Sequence, residues 1–200
     1  MNRSEASQEL INYAKILYDK GWMMGTSGNL SLCVSKSPLE YVVTASGRQK
    51  GQLTEADFVV LGENQSPLFE KQPKPSAETA LHEAIYSLVP EASAVFHVHT
   101  VTATTLSMQA TQDSLQFSGL EMLKGLGLKT HEATVNLPIY ENTQDVAMLA
   151  SELSERMDIT VPGFVLRGHG LYTWGSSPEE TFNRLECWEF LFQVAQKSAV

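Results

Sequence analysis

Helix-forming and strand-forming segments follow one another along this chain without the regular rhythm of a parallel β-α-β fold. Helical spacing of apolar residues occurs in EASQELINYAKILYDKG, SAETALHEAIYSLVPEA, TQDVAMLASELSERM and the segment that follows SSPEE. Short apolar runs such as YVVTASG, DFVVLG, SAVFHVH and GFVLRGHGLYTWG predict strands, and ATVNLPIYENT predicts an edge strand, because Pro138 has no N–H for a ladder. The fold class expected is α/β, a layered α/β/α domain around a mixed sheet.

Length and charge narrow the class of protein. A chain of 200 residues favours a single domain over residues 1–200. The net charge of -9 argues against a nucleic-acid partner, which would require a basic face. We expect no membrane partner, because no apolar run is long enough to cross a bilayer. MNRSEASQEL lacks the apolar region of a signal peptide, so a cytoplasmic location is expected.

Two histidines stand one residue apart in AVFHVHTV. In a strand, residues i and i+2 point to the same face, so His97 and His99 project together. Alone, this spacing is a weak motif, and solvated imidazoles are its ordinary interpretation. His169 lies between two glycines at a predicted strand turn, where the backbone can approach closely. Together the three histidines predict a metal site with an open coordination position, whereas His82 is expected to pack in a core and His131 to lie on the surface.

Three loops have a composition that suits an anion. GTSGNLS, TASGRQKG and KPSAET combine glycine and small hydroxyl residues at the ends of predicted elements. Such loops expose backbone N–H groups, and Ser76 and Ala77 are predicted to begin a helix whose dipole favours an anion. Either Arg48 or Lys50 is available to add positive charge. For any one loop, an ordinary turn is the better interpretation, and only the three loops together with the histidines favour an anion site.

The series GTSGNLS, TASG, KPSAETALH, VFHVHT and RGHGLYTWG resembles the class II aldolase/adducin family, in that order and over nearly the whole chain. The resemblance implies a three-layer α/β/α sandwich on a mixed, largely antiparallel sheet. It implies one zinc ion per subunit, held by His97, His99 and His169, and a homotetramer with sites near subunit contacts. It also implies a cradle for the phosphate of a small-molecule sugar phosphate, formed by Ser27, Gly28, Asn29, Thr44, Ser46, Gly47, Ser76 and Ala77.

Within that family, SGLEMLKGLG, LPIYENT and LECWEFLF resemble a branch that dehydrates 5-methylthioribulose 1-phosphate in methionine salvage. The product expected is 2,3-diketo-5-methylthiopentyl 1-phosphate. Two glutamates compete for the acid/base role: Glu121 matches the position used by the dehydratases, and Glu78 matches the position used by the aldolases. The resemblance favours Glu121.

Two other functions remain open at this point. An aldolase or epimerase acting on another sugar phosphate would share the zinc and the loops but rely on Glu78. A non-catalytic scaffold domain, like the adducin head, would be expected to have lost metal ligands, and all three histidines are present.

Overall fold

A sheet of eight strands carries the core in the computed structural model, which describes residues 1–198. The strands are β1 Asn29–Lys36, β2 Leu39–Thr44, β3 Phe58–Gly62, β4 Ala94–Val98, β5 Ser114–Ser118, β6 Thr134–Tyr140, β7 Phe164–Leu166 and β8 Gly170–Gly175. The α-helices are α1 Arg3–Asp19, α2 Thr79–Leu88, α3 Val101–Gln109, α4 Val146–Arg156 and α5 Pro178–Ser198. Short 3₁₀ turns cover Lys50–Gln52, Glu55–Asp57, Glu63–Gln65 and Glu121–Leu126.

The strand order is β3-β2-β1-β4-β8-β7-β6-β5. Every neighbouring pair is antiparallel except β6 and β7, which are parallel. The prediction of a mixed, largely antiparallel sheet is therefore confirmed. The order places β4 beside β8, so the segment with two histidines lies against the hairpin that carries the third.

Helices cover both faces of the sheet. On one face, apolar side chains of α1, α3 and α5 pack in a single cluster with alternate residues of β4, namely Ala94, Phe96 and Val98. On the other face, α2 and α4 pack in a second cluster that includes Val95, Phe164 and Tyr172. Strand side chains alternate between faces, so His97 shares the face of α2 and α4 with Val95. The three-layer prediction is confirmed by these two clusters.

The edge-strand prediction for ATVNLPIYENT is wrong. β6 lies between β7 and the strand β5, which the sequence patterns did not reveal. Ile139 donates its N–H to the carbonyl oxygen of Asp113, on the β5 side. Because successive N–H groups of a strand point to opposite sides, an N–H at position 138 would have pointed toward β7. Pairing with β7 begins only at Ile139, and the missing donor therefore costs no ladder bond.

Two predicted helix starts also differ from the structure. α2 begins at Thr79, after a turn through Ala77 and Glu78, and so Ser76 lies three residues before the helix. The N-cap of α4 is Asp145, whose side chain accepts the N–H of Met148, rather than Thr143. Among the helices of residues 1–198, none combines the length and the apolar character that crossing a bilayer requires.

Candidate active site

His97 is held rigidly at the centre of the sheet. In the antiparallel ladders it stands opposite Asn29 of β1 and Tyr172 of β8, so the three side chains project from one face. The imidazole is fully buried and stacks on the Tyr172 ring, with 3.9 Å between centroids. Its Nδ1 lies 3.0 Å from the carbonyl oxygen of Leu171. A carbonyl only accepts, so Nδ1 carries the proton and Nε2 presents a lone pair.

His169 is delivered by the tight hairpin between β7 and β8. Leu166 pairs with Gly170, which leaves a three-residue turn with His169 as its last residue. A Cβ on Gly170 would lie 2.3 Å from the carbonyl oxygen of Val98 and about 3 Å from the rings of His97 and His99. Only glycine lets the hairpin approach β4 this closely.

The three imidazoles converge on one point. Nε2 of His97 lies 2.9 Å from Nε2 of His99 and 3.3 Å from Nε2 of His169. Nδ1 of His169 lies 3.2 Å from Oδ1 of Asn142, so its Nε2 also presents a lone pair toward the cluster. Lone pairs facing one another at such distances repel unless a cation lies between them. Among residues 1–198, these three histidines form the one group of side chains close enough together to ligate a metal ion.

Electrostatics favour the metal-binding form of these rings. Burial lowers the pKa of His99 to about 4 and that of His97 well below its usual value. Both rings are therefore neutral at physiological pH, which is the protonation state that binds metal. The donor set fits a divalent cation with three imidazole ligands and an open position.

Comparison with known sequences identifies the family. Residues 8–196 match the family described as Class II Aldolase and Adducin N-terminal domain. This chain is a member of the class II aldolase and adducin family. The resemblance inferred from the five motifs is thereby confirmed.

Several relatives within this family share one name. The chain is 39% identical over 201 residues to "Methylthioribulose-1-phosphate dehydratase" of Pseudomonas fluorescens (strain Pf0-1), with 99% of this chain and 95% of the relative covered. It is 42% identical to the protein of that name from Pseudomonas syringae pv. syringae (strain B728a), with 98% and 97% covered. The protein of that name from Microcystis aeruginosa is 40% identical, with 95% and 94% covered.

Solved structures agree on the fold. An L-fuculose 1-phosphate aldolase superimposes with a TM-score of 0.83 at 24% identity, over 100% of this chain and 88% of the other. The L-fuculose-1-phosphate aldolase of Thermus thermophilus gives a TM-score of 0.76 at 22% identity, over 99% and 97% of the two chains. The α/β/α sandwich of class II aldolases is thus the fold of this chain.

Glu78 lies against the histidine cluster. Its Oε1 is 3.2 Å from Nε2 of His169 and 4.0 Å from Nε2 of His97. Burial raises the pKa of Glu78, but its contacts with His169 and His97 and the hydrogen bond from Asn29 outweigh burial, so the net pKa is well below its usual value. An ionised carboxylate therefore faces the proposed metal position.

A buried chain of hydrogen bonds orients Glu78. The amide nitrogen of Asn29 donates to Oε2 of Glu78, and Oδ1 of Asn29 accepts from Nε2 of His82. Nδ1 of His82 lies 2.6 Å from the hydroxyl of Ser31, which lies 2.7 Å from the hydroxyl of Tyr86. Burial lowers the pKa of His82 to about 4, so the ring is neutral, and the donors run in one direction from Tyr86 to Glu78.

This chain of hydrogen bonds was missed by the sequence patterns, which assigned His82 to packing. His82 is indeed fully buried, on the face of α2 that packs against the sheet. One signal was available, because Glu78 and His82 are four residues apart and therefore lie on one face at the start of a helix. The partner Asn29 could not be identified that way, since it lies on β1, about 50 residues earlier in the chain.

The three polar loops meet at a small cavity of about 120 Å³. It is lined by Thr26, Ser27, Gly28, Asn29, Ala45, Ser46, Gly47, Lys50, Ser76, Glu78 and His99. Six residues of the predicted phosphate cradle are thus brought together beside the histidine cluster. At Gly28, φ is +70° and a Cβ would lie 2.6 Å from the carbonyl oxygen of His97, so this loop requires glycine.

The remaining two cradle residues lie elsewhere. Thr44 is fully buried in β2, where its hydroxyl accepts the backbone N–H of Leu30 at 3.2 Å, and it does not line the small cavity. Ala77 lines a larger neighbouring cavity of about 630 Å³, which also contains Asn142 and His169. Ser46, Ser76 and Glu78 line both cavities, so the two adjoin at the histidine cluster.

Glu121 lies apart from this cluster in the structure of one chain. Its side chain is 71% exposed, on the 3₁₀ turn that follows β5. It pairs with Lys124 and lies 3.5 Å from Nδ1 of His131, and it lines neither cavity. The hydrogen bond from Lys124 lowers the pKa of Glu121 below its usual value. His131 is exposed, as the sequence suggested.

Proposed function

We propose that this chain is a methylthioribulose-1-phosphate dehydratase of methionine salvage, which converts 5-methylthioribulose 1-phosphate to 2,3-diketo-5-methylthiopentyl 1-phosphate. The observation that carries the proposal is a three-histidine cluster beside a small polar cavity, in a chain whose full length aligns with relatives of that name. The phosphate is assigned to the small cavity and the rest of the sugar to the larger one.

Zinc is the metal proposed for His97, His99 and His169. Three neutral imidazoles with an open position are a common donor set of catalytic zinc. When bound, zinc supplies Lewis-acid stabilisation of the negative charge that develops on the C2 and C3 oxygens of the substrate. The chain's own contribution is to orient two of the three imidazoles, His97 through the carbonyl of Leu171 and His169 through the side chain of Asn142.

Dehydration removes the proton from C3 and the hydroxyl group from C4, and these leave together as water. The enol that results tautomerises to the 2,3-diketone. A carboxylate must accept the C3 proton, and an acid must give a proton to the departing hydroxyl. Glu121 is proposed as this acid/base group on the strength of the resemblance to the dehydratases, and Glu78 is proposed to orient the metal site or carry a second proton.

The proposed assembly is a homotetramer in the cytoplasm, with the active sites near subunit contacts. Large apolar side chains are exposed close to the site. Val101 and Met108 lie on α3, which follows His99 directly, and Met24 precedes the GTSGN loop; their exposed fractions are 76%, 67% and 66%. Such side chains are typical of subunit interfaces. Because Glu121 lies outside the cavities of its own chain, it can serve only a site shared with a neighbouring subunit.

The decisive experiment is to incubate the purified protein with 5-methylthioribulose 1-phosphate and to follow the formation of the diketone. We expect turnover that depends on zinc, and we expect the His97→Ala variant to lose bound zinc and activity together. Turnover by that variant without metal would contradict the assignment of the metal site.

An aldolase acting on another sugar phosphate is the second candidate, because Glu78 lies beside the histidine cluster. Retro-aldol cleavage of a ketose 1-phosphate yields dihydroxyacetone phosphate, whereas dehydration keeps all carbons in one product. Product analysis therefore separates the two reactions.

A further inference from the structure

Lys50 is a buried lysine with no carboxylate partner among the described residues. Only 2% of its surface is exposed, and Lys50 is among the largest side chains that the fold buries. Its Nζ donates to the carbonyl oxygens of Thr26, at 2.9 Å, and Arg48, at 2.8 Å. Within residues 1–198, no carboxylate oxygen lies within 4.0 Å of this nitrogen. An ammonium group has three donors, so one remains after these two bonds.

A charge buried without a counter-ion is costly, and proteins keep one only where an anion or another compensation is available. Burial lowers the pKa of Lys50 to about 8, while the charge of Glu78 raises it. The group is therefore mostly protonated at neutral pH. Two neutral carbonyl groups orient the ammonium but do not neutralise it.

The surroundings of Lys50 identify the missing partner as an anion. Lys50 lines the 120 Å³ cavity and, of the lysines and arginines in the described part of the chain, is the only one that does so. The cavity walls otherwise consist mainly of hydroxyl side chains and glycine backbone, which suit phosphate oxygens. Glu78 and His99 also line the cavity, and they mark its boundary with the histidine cluster, because Glu78 lies 3.2 Å from His169 and His99 belongs to the cluster.

The other nearby cations do not compete for this role. Arg48 is exposed, and its Nε lies 3.2 Å from a carboxylate oxygen of Asp57. Lys74 is exposed and lines the larger cavity. Of the two cations that TASGRQKG offers, the structure therefore places Lys50 in the cavity and Arg48 outside it.

We propose that Lys50 binds the phosphate group of the substrate, with its third N–H donating to a phosphate oxygen in the small cavity. This inference rests on the proposed function for the identity of the sugar and on the geometry of the cavity for the phosphate. Lys50 thereby selects phosphorylated over unphosphorylated sugars and anchors the substrate's end next to the metal.

The test compares Lys50→Met with Arg48→Met, a control that removes the same charge from an exposed, ion-paired position. Inorganic phosphate serves as the probe, and its inhibition constant is measured together with kcat, KM and zinc content of the holoenzyme. We expect Lys50→Met to raise the KM and the inhibition constant at least about tenfold, with zinc content unchanged and a smaller effect on kcat. Arg48→Met is expected to match the parent protein.

An unchanged inhibition constant in folded, zinc-loaded Lys50→Met overturns the proposal. If that variant does not fold, the parent protein labelled with ¹⁵N-lysine provides a second measurement. Addition of phosphate should then shift the NMR signal of one slowly exchanging amine, and the absence of any shifted amine signal overturns the proposal equally.

Failure of the proposed function gives a different result. Phosphate binding that depends on Lys50, in a protein that does not dehydrate methylthioribulose 1-phosphate, supports the phosphate site and rejects the substrate. Dehydration with unchanged phosphate binding in Lys50→Met supports the substrate and rejects the role of Lys50.

Discussion

The position of the proton on each imidazole determines what the histidine cluster can do. Nδ1 of His97 is committed to a backbone carbonyl that no substitution removes, whereas Nδ1 of His169 depends on the side chain of Asn142. The second bond is the weaker point, because it spans 3.2 Å and lies at the exposed side of the cluster. Groups that orient a metal-ligating histidine in this way affect metal affinity without touching the metal.

We therefore expect Asn142→Ala to weaken zinc binding about 10- to 100-fold. The reason is that His169 loses the acceptor that fixes its tautomer and ring orientation. Competition with a zinc-binding dye measures the change. Asn136→Ala is a matched control, since Asn136 is exposed on β6 and hydrogen-bonds only to Gln116 among the described side chains. Equal zinc affinity in both variants would contradict the orienting role.

Substitution to glutamine distinguishes the roles of the two candidate carboxylates, because glutamine keeps the shape of the side chain but cannot transfer the proton. We expect Glu121→Gln to retain zinc and to lose about 100- to 10,000-fold in kcat, the range typical of a general acid/base. Zinc content and diketone formation are measured on the same preparation. Full activity in Glu121→Gln, with an inactive Glu78→Gln, would assign the proton transfers to Glu78 instead.

At the scale of elements, α2 links the sheet to the histidine cluster through one side chain. His82 lies one turn after Glu78 and reaches it through Asn29 of β1. The position of the Glu78 carboxylate therefore depends on how α2 docks on β1. This arrangement places His82 as a positioning residue that acts through Asn29.

We expect His82→Leu to lower kcat about tenfold or more, because it leaves Asn29 and Ser31 without their buried partner. His82→Gln should recover much of this loss, since its amide can donate to Oδ1 of Asn29. Zinc content is expected to stay constant in both variants, which separates a positioning role from loss of the metal. Comparable kcat values for the leucine and glutamine variants would refute the hydrogen-bond argument.

Local sequence patterns predicted the elements that are marked by continuous or periodic apolar residues. Strand β4 and the β7–β8 hairpin carry continuous apolar runs, so the histidines in them were identified as a group. Strand β5, SLQFS, has one buried residue and no apolar run, and it was not found. The order of strands in the sheet also could not be predicted. Pro138 suggested an edge strand, but β6 lies between β7 and β5, and the proline occupies a position where no ladder hydrogen bond is needed.

Inside the site, too, features that depend on local composition could be predicted, whereas features that depend on tertiary contacts could not. The loops with Ser27, Ser46 and Ser76 could be picked out by composition, and the structure brings them to one cavity. Thr44 belongs to the same motif, TASG, but its hydroxyl turns into the sheet toward Leu30. Contacts between segments that are distant in sequence, such as Asn29 with His82 and Lys50 with Thr26, depend on tertiary packing that local sequence does not encode.

At the scale of the whole molecule, the carboxylates of Glu78 and Glu121 lie in different environments. Glu78 lies between two adjoining cavities, whereas Glu121 is exposed on a turn that packs against α5 and lines neither cavity. A role for Glu121 in proton transfer therefore requires a symmetric assembly in which its turn approaches the histidines of a neighbour. Closed homo-oligomers bring such surfaces together in every subunit pair.

This requirement can be tested by mixing two inactive proteins. His97→Ala is expected to lack the metal and to keep Glu121, whereas Glu121→Gln is expected to keep the metal and to lack the proposed acid/base. If the site is shared, subunit exchange after partial denaturation creates hybrid sites with both groups, and about one quarter of the parent activity should return in an equal mixture that exchanges at random. The measurement is diketone formation before and after exchange, with native mass spectrometry to verify mixed tetramers. Mixed tetramers without recovered activity would mean that Glu121 does not serve the histidines of a neighbouring subunit and would overturn the shared site, because an inactive Glu121→Gln already shows that Glu78, 3.2 Å from His169, does not carry the reaction alone.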